Sequence, residues 1–344
     1  MNGLLVRPLE AGEEALWERF VADCPEATFF HRVGWKRVIE EACGHRTHYL
    51  LAESAAGVRG VLPLARVRSL LFGDALVSTP FCVYGGAAAL DEEARLALEE
   101  EAVRLAGRLG VGWLESRNLA PRRPDWEASA LYYTFRKAID ADPAVNLAAI
   151  PRKQRAEVRK GIGHGLRGVS DDDIAGRSYD IYAESVRNLG TPVFSRRLFR
   201  LLQEEFGADC QGLLVEHRGE WVAEVVSFYF RDQVLPYYGG GRREARALGA
   251  MAFMYWELMT RAAQRGARVF DFGRSKLGAG SFDFKKFYGF TPEPLHYRYR
   301  LVRATEVPRN NPLNPKYRLF IRMWQRLPLA VAERLGPLLA RHLG

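Results

Sequence analysis

Lysine is scarce in this chain. Only 8 of the 344 residues are Lys, although Lys and Arg together number 50, so the remaining 42 cations are Arg. An Arg excess fits a GC-rich coding sequence. It equally fits a polyanionic partner such as nucleic acid, a phosphorylated cofactor, a nucleotide sugar or an anionic membrane face. The net charge of +9 does not choose among these. Cysteine is also thin: Cys24, Cys43, Cys82 and Cys210 lie far apart with no CxxC or Cys/His spacing, which argues against both a zinc site and a disulfide framework. No stretch approaches the ~18 apolar residues of a membrane-spanning helix, and the opening MNGLLVRPLEAGEEALW has no apolar signal core. The expectation is a cytoplasmic protein, with peripheral contact at the inner membrane face as an extension. Sustained heptads are absent too, which excludes a long coiled coil.

What is present is an ordinary globular balance, 48% hydrophobic and 26% charged, at a length suited to two domains. Internal similarity organises it. YLLAESAAGVRGVLPLARV from Tyr49 and GLLVEHRGEWVAEVVSFYF from Gly212 both read strand, glycine turn, strand. Each is followed by a β-rich run ending in glycines, VSTPFCVYGGAAA at 77–89 and DQVLPYYGGG at 232–241. A helix comes next in both. The first, 91–109, has Asp91 as N-cap and Leu96, Val103 and Leu105 on one stripe; the second spans 247–265. Gly110 and Gly266 close them, and each chain segment then enters a strand carrying an acid, Glu115 or Asp271. Tyr84 to Glu115 is 31 residues and Tyr238 to Asp271 is 33. Each half therefore reads β-β-β-α-β. The divisions expected are 1–149, 150–307 and a basic amphipathic tail, 308–344.

The runs FFHRVGWKRVIEEACGHRTHYLLA, NLGTPVFSRRLF and FDFGRSKLGAGSFDFKKFYGF resemble the FemAB-like acyltransferases associated with exosortase/PEP-CTERM exopolysaccharide systems. The resemblance implies the GNAT (acyl-CoA N-acyltransferase) fold in tandem, an α/β (α+β) architecture of mixed twisted sheets flanked by helices. It implies transfer of an acyl or aminoacyl group onto an amine of a cell-envelope or exopolysaccharide precursor, a small-molecule or lipid-linked glycan. No tightly bound cofactor and no metal are expected. The cosubstrate would be acyl-CoA, an acyl carrier protein thioester or aminoacyl-tRNA. Lacking the coiled-coil insertion of FemA and FemB, the chain is similar in this respect to FemX. A degenerate GNAT pair serving as a scaffold of the polysaccharide machinery is the alternative.

In that fold a glycine-rich turn into a helix binds the donor's phosphates. Gly239, Gly240, Gly241, Arg242, Arg246 and Gly249 occupy the place, but Met251 stands where Gly or Ala is usual. A plain glycine turn before a core helix is the other reading. Asp271 and Arg274 lie at a strand's C-terminal end, where α/β proteins hold ligands; Asp271 is a candidate proton acceptor or a partner of a nearby Arg. FDFKKFYGF reads as an aromatic strand with one Lys turned inward. Lys285 matches the lysine of the FemX-like FK-x-x-F-G element and becomes a candidate catalytic group, against an edge-strand role. One of Tyr237 and Tyr238 should face the site and the other should pack, with Tyr238 placed among the catalytic candidates and Tyr237 among the acceptor-binding ones. Trp35, Lys36 and Glu115 resemble acceptor-binding positions. The basic run 152–167 suits either a phosphorylated partner or a solvated helix face, and the tail after Pro308 either a membrane surface or packing on the body.

Overall fold

The computed structural model describes residues 3–69, 73–307 and 316–342. Contacts divide the chain into two units, Met1–Ala130 with Leu295–Pro312 and Ala340–Gly344, and Leu131–Pro294 with Leu313–Leu339. Part of the tail expected from residue 308, namely 308–315, lies outside the described residues.

Unit one contains β1 (Leu5–Pro8), α1 (Glu14–Asp23), α2 (Gly34–Val38), β2 (Leu50–Ser54), β3 (Gly57–Leu62), β4 (Leu64–Ser69), β5 (Gly73–Ser78), β6 (Ala88–Ala89), α3 (Glu92–Leu109), β7 (Trp113–Asn118) and β8 (Glu127–Ser129). Unit two begins with β9 (Tyr132–Ala138), α4 (Pro143–Ala149), α5 (Arg152–Gly163), β10 (Arg167–Asp171), α6 (Tyr179–Leu189) and α7 (Arg196–Phe206). It continues with β11 (Cys210–His217), β12 (Glu220–Phe230), β13 (Gln233–Gly241), α8 (Arg243–Leu248), α9 (Ala250–Gln264), β14 (Val269–Asp271), β15 (Ser275–Lys276), α10 (Gly280–Phe287) and β16 (Pro292–Pro294). Then β17 (His296–Leu301) returns to unit one, and α11 (Lys316–Gln325) and α12 (Leu329–Ala340) follow.

Unit one holds two sheets, ordered β1-β2-β3-β6 and β4-β5-β7-β17-β8. Pro63 divides what would be one long strand into β3 and β4, which join different sheets; proline supplies no N–H to a ladder. The β-rich run expected at 77–89 is mostly loop. Thr79 (φ 39°) and Phe81 (φ 69°) adopt left-handed backbone on either side of Pro80, so the strand stops at Ser78. In α3, Asp91 accepts from the Ala94 amide as an N-cap should, and Gly110 closes the helix in the left-handed region. The buried stripe is Ala94, Leu98, Ala102 and Ala106, at strict i+4 spacing, whereas Leu96, Val103 and Leu105 sit half-buried beside it. Small residues let this helix lie close on β2 and β3, which is why the larger ones are displaced to its margin.

In unit two the sheet runs β10-β11-β12-β13-β14-β9-β15, with β16 also on β9. The first four strands are antiparallel; β14 joins β13 in parallel after the crossover through α8 and α9. One face is covered by α5 and α9, where Val158, Phe253, Met254, Leu258 and Ala262 pack with Val222, Val225 and Phe270. The basic run 152–167 turns Val158 and Gly161 inward and leaves Arg152, Lys153, Arg159 and Lys160 to solvent. The helix expected at 247–265 is broken at Gly249, whose φ of 69° is left-handed and whose added Cβ would stand 2.5 Å from the Glu157 carbonyl oxygen. The second half keeps the β-β-β-α-β order; sheet membership differs from the expected halves, because β9 pairs with β14 and β17 with β7.

Candidate active site

The site grows from the way β13 leaves its neighbour. Only Gln233 and Val234 pair with β14, opposite Val269 and Phe270, while on its other side β13 stays paired with β12 as far as Gly241. From Leu235 onward no strand among the described residues lies on the edge that faced β14, so its backbone groups are left to other partners. The glycine run occupies the far end of this edge. Its three members are not alike. An added Cβ at Gly240 would meet the Ser185 Cβ at 2.6 Å, and one at Gly241 would meet the Ala245 Cβ at 2.9 Å. At Gly239 the nearest atom is the Tyr255 hydroxyl at 3.4 Å, an ordinary contact. Close packing thus requires glycine at 240 and 241, not at 239. Arg242 lies 3.6 Å from Glu184, and Arg243 and Arg246 are exposed on the short helix α8.

Beneath the run lies a group that sequence reading overlooked. Glu224 on β12 stands opposite Gly240 in register and is 0% exposed. Among the described residues neither of its carboxyl oxygens has a hydrogen-bond partner of normal geometry. Burial, reinforced by the negative charge of Asp171, pushes its pKa well above the usual carboxylate range, against a weak opposing pull from the Gly240 backbone. Burial thus favours the protonated carboxyl, which can donate as well as accept. Tyr182 of α6 is buried and Tyr255 of α9 half-buried, and the Glu224 carboxyl adds to the burial that raises both phenols. A carboxylate inside the otherwise apolar VAEVV was the available signal.

Tyr238 packs among aromatics: its ring lies 5.0 Å from Phe199, 5.6 Å from Tyr182 and 6.1 Å from Phe194. Tyr237 is half-buried beside Phe228, at 5.2 Å.

A second cluster surrounds the loop after β14. Asp271, fully buried, accepts from the Gly273 amide at 2.7 Å and faces Arg136 Nε at 3.5 Å and the Thr134 hydroxyl at 3.4 Å. Its side chain folds the loop back on itself and balances a cation from β9. Lys285 differs from expectation in its setting. FDFKKFYGF is the helix α10 and a turn, not a strand, because Phe282 and Lys285 share the i, i+3 face that packs inward and Gly289 (φ 91°) ends the segment. Lys285 Nζ donates to three backbone carbonyls, Phe272 at 2.7 Å, Gly273 at 3.1 Å and Arg274 at 3.0 Å. Three donated bonds require the ammonium form. Burial pulls its pKa down to about 7; Asp271 opposes the shift and Arg274 adds to it. The lysine closes the loop from below. Arg274 itself is half-exposed over the Tyr132 ring, at 5.0 Å, and Lys276, brought down to about 8 by burial and Arg274, shares that ring at 5.4 Å. Asp271, Arg274 and Lys285 are thus brought together around residues 272–274.

Trp35, Lys36 and Glu115 belong to unit one. Trp35 is buried against Phe29 and Phe30, at 6.2 and 5.9 Å, and Lys36 pairs with Glu40 one turn on, at 3.1 Å. Glu115 accepts from Arg117 Nε at 2.8 Å; the same guanidinium donates to the Cys82 carbonyl at 2.7 Å and lies over Tyr297.

Residues 151–286 match the acetyltransferase (GNAT) domain family. No curated protein matches the chain. Among solved structures the chain is similar to FemX, with TM-score 0.68 and 13% identity over 92% of this chain and 100% of that one. It is also similar to a tandem GNAT protein from the clavulanic acid biosynthesis pathway, with TM-score 0.56 and 15% identity over 88% of this chain and all of the other. A third likeness is to the C-terminal domain of a putative lysylphosphatidylglycerol synthetase from Agrobacterium fabrum, TM-score 0.56 and 12% identity over 84% and 92% of the two chains. The architecture is that of tandem GNAT-like domains.

Proposed function

We propose that unit two transfers an acyl or aminoacyl group onto an amino group of a cell-envelope or exopolysaccharide precursor, forming an amide. One observation carries the reading: the edge of β13 freed from β14 beside the glycine run, within the stretch that matches the GNAT family. A carbonyl laid along such an edge can accept from backbone N–H groups, which hold the oxyanion of the tetrahedral intermediate without reorganising. The acceptor nitrogen bonds to that carbon, the C–S or C–O bond to the carrier breaks, and the proton lost by nitrogen passes to the leaving sulfur or oxygen. Glu224, fully buried beneath the glycine run, does not meet the amine and enters as a positioning residue on the strand paired with this edge. Arg242, Arg243 and Arg246 supply charge for the carrier's phosphates.

Asp271 and Lys285 enter as positioning residues that fix the loop after β14. The GNAT match favours an acyl thioester of CoA or a carrier protein as donor; Met251 at the usual small-residue position favours aminoacyl-tRNA instead. The scaffold reading draws on the tight closure of Gly240 on Ser185 and Gly241 on Ala245. Purified protein with acetyl-CoA or charged tRNA, and with nucleotide-linked amino sugars as acceptors, followed by mass spectrometry, separates the readings. An amide product from either donor supports the enzyme; no product and no thermal stabilisation by any donor leaves the scaffold.

A further inference from the structure

We propose that the solvent face of α11 and α12 is a docking surface for a bilayer containing anionic phospholipid. Large apolar side chains are exposed at Leu319, Phe320 and Met323 on α11 and at Val331, Leu335 and Leu338 on α12. Their spacings, i, i+1, i+4 and i, i+4, i+7, each draw one stripe along a helix. Leu189, 69% exposed at the end of α6, is brought beside α11: Arg187 Nη1 donates to the Gln325 carbonyl, Gln325 Nε2 donates to the Asn188 carbonyl, and Gly190 packs on Ile321. The opposite side of the two helices is anchored in unit two, where Trp324 and Ala332 are buried and Gly336 abuts Val193. The helices are therefore held in place while their apolar stripes face water.

Charge selects the occupant. Residues 316–340 hold five basic side chains and a single acid, Glu333, which stands 3.9 Å from Arg196. Arg322, Arg326 and Arg334 are exposed among the apolar residues. Apolar stripes flanked by arginines fit the boundary between lipid headgroups and acyl chains, with the guanidiniums at phosphate depth. A protein partner would have to be acidic and apolar in the same alternation; an anionic bilayer offers both everywhere. Among the described residues no helix is long and apolar enough to cross a membrane, so the contact is a surface one. The inference does not depend on the transfer reaction.

The test is co-sedimentation of the full chain with vesicles of phosphatidylcholine alone and of phosphatidylcholine mixed with phosphatidylglycerol. Binding to the anionic vesicles is expected to exceed that to the neutral ones by about tenfold or more and to weaken as salt rises. Leu319→Gln with Met323→Gln should lower the bound fraction to both vesicle types, while Arg322→Gln with Arg326→Gln should remove most of the preference for phosphatidylglycerol. All four positions are exposed, and an unchanged melting temperature confirms that the variants fold. Equal binding to both vesicle types, wild-type binding by the Leu319/Met323 variant, or a dimer that is lost in that variant and binds no vesicles would each overturn the proposal.

Discussion

Glu224 on β12 and Gly240 on β13 face each other across the ladder, and the space above the glycine is taken by Ser185 of α6, so the carboxyl lies sealed beneath the site with neither oxygen hydrogen-bonded in normal geometry among the described residues. An acid so placed is kept only at a cost in stability, and that cost has a measurable pH signature. In the unfolded chain Glu224 ionises near the ordinary glutamate value of ~4.3. In the folded chain it keeps its proton to a higher pH. Above the unfolded value the native state thus binds more protons than the unfolded one, and stability falls as pH rises towards the folded pKa. Glu224→Gln removes this slope. The melting temperature of the variant, relative to wild type, should rise as pH climbs above ~4.3; a constant difference contradicts the raised carboxyl pKa.

Lys285 should be read as the loop's internal clasp. Lys285→Met leaves the carbonyls of Phe272, Gly273 and Arg274 without their donor, and should cost about 2–4 kcal/mol. Chemical denaturation measures this directly. If the amine instead served only the donor, stability would stay at the wild-type value while transfer failed.

The glycine run separates packing from function. Gly240→Ala and Gly241→Ala force contacts of 2.6 and 2.9 Å, and each should destabilise by about 1–3 kcal/mol. Gly239→Ala meets only an ordinary contact and should leave the melting temperature near wild type. Its added methyl lies on the strand that offers backbone to the donor, so KM for the donor should rise with little change in fold. Equal stability loss at all three positions contradicts the assignment.

In unit one, Arg117 and Glu115 form a buried pair. Arg117→Met takes the cation from the buried Glu115 carboxylate and one donor from the Cys82 carbonyl, and should cost about 3–5 kcal/mol. Adding Glu115→Gln should restore part of the loss, since the uncompensated charge is then gone. A double-mutant cycle with no coupling would show that the pair does not act as a unit.

The duplication was legible because glycines and acids punctuate both halves: Asp91 caps α3, Gly110 ends it, and Gly266 (φ 91°) follows α9. These are local requirements that a sequence states openly. Sheet membership is not local, so the pairing of β9 with β14 and of β17 with β7 left no mark in the spacing. FDFKKFYGF misled because Phe at alternate positions suits a strand, while the i, i+3 relation of Phe282 and Lys285 suits a helix equally; packing decided. Asp271 stands out in the sequence as an acid at a strand end, but its hydrogen bond to Gly273 and its facing of Arg136 depend on the folded loop. Glu224 went unnoticed because an acid in a strand normally marks the solvent face, and here both faces of β12 are covered.

Hydrogen exchange over Leu235–Gly249, followed with acetyl-CoA or aminoacyl-tRNA as donor, tests the central claim most directly. The account predicts that the donor which supports amide formation slows exchange at the β13 edge and the glycine run, and that Gly239→Ala weakens both the protection and the product. Amide formation without protection in this stretch would contradict it.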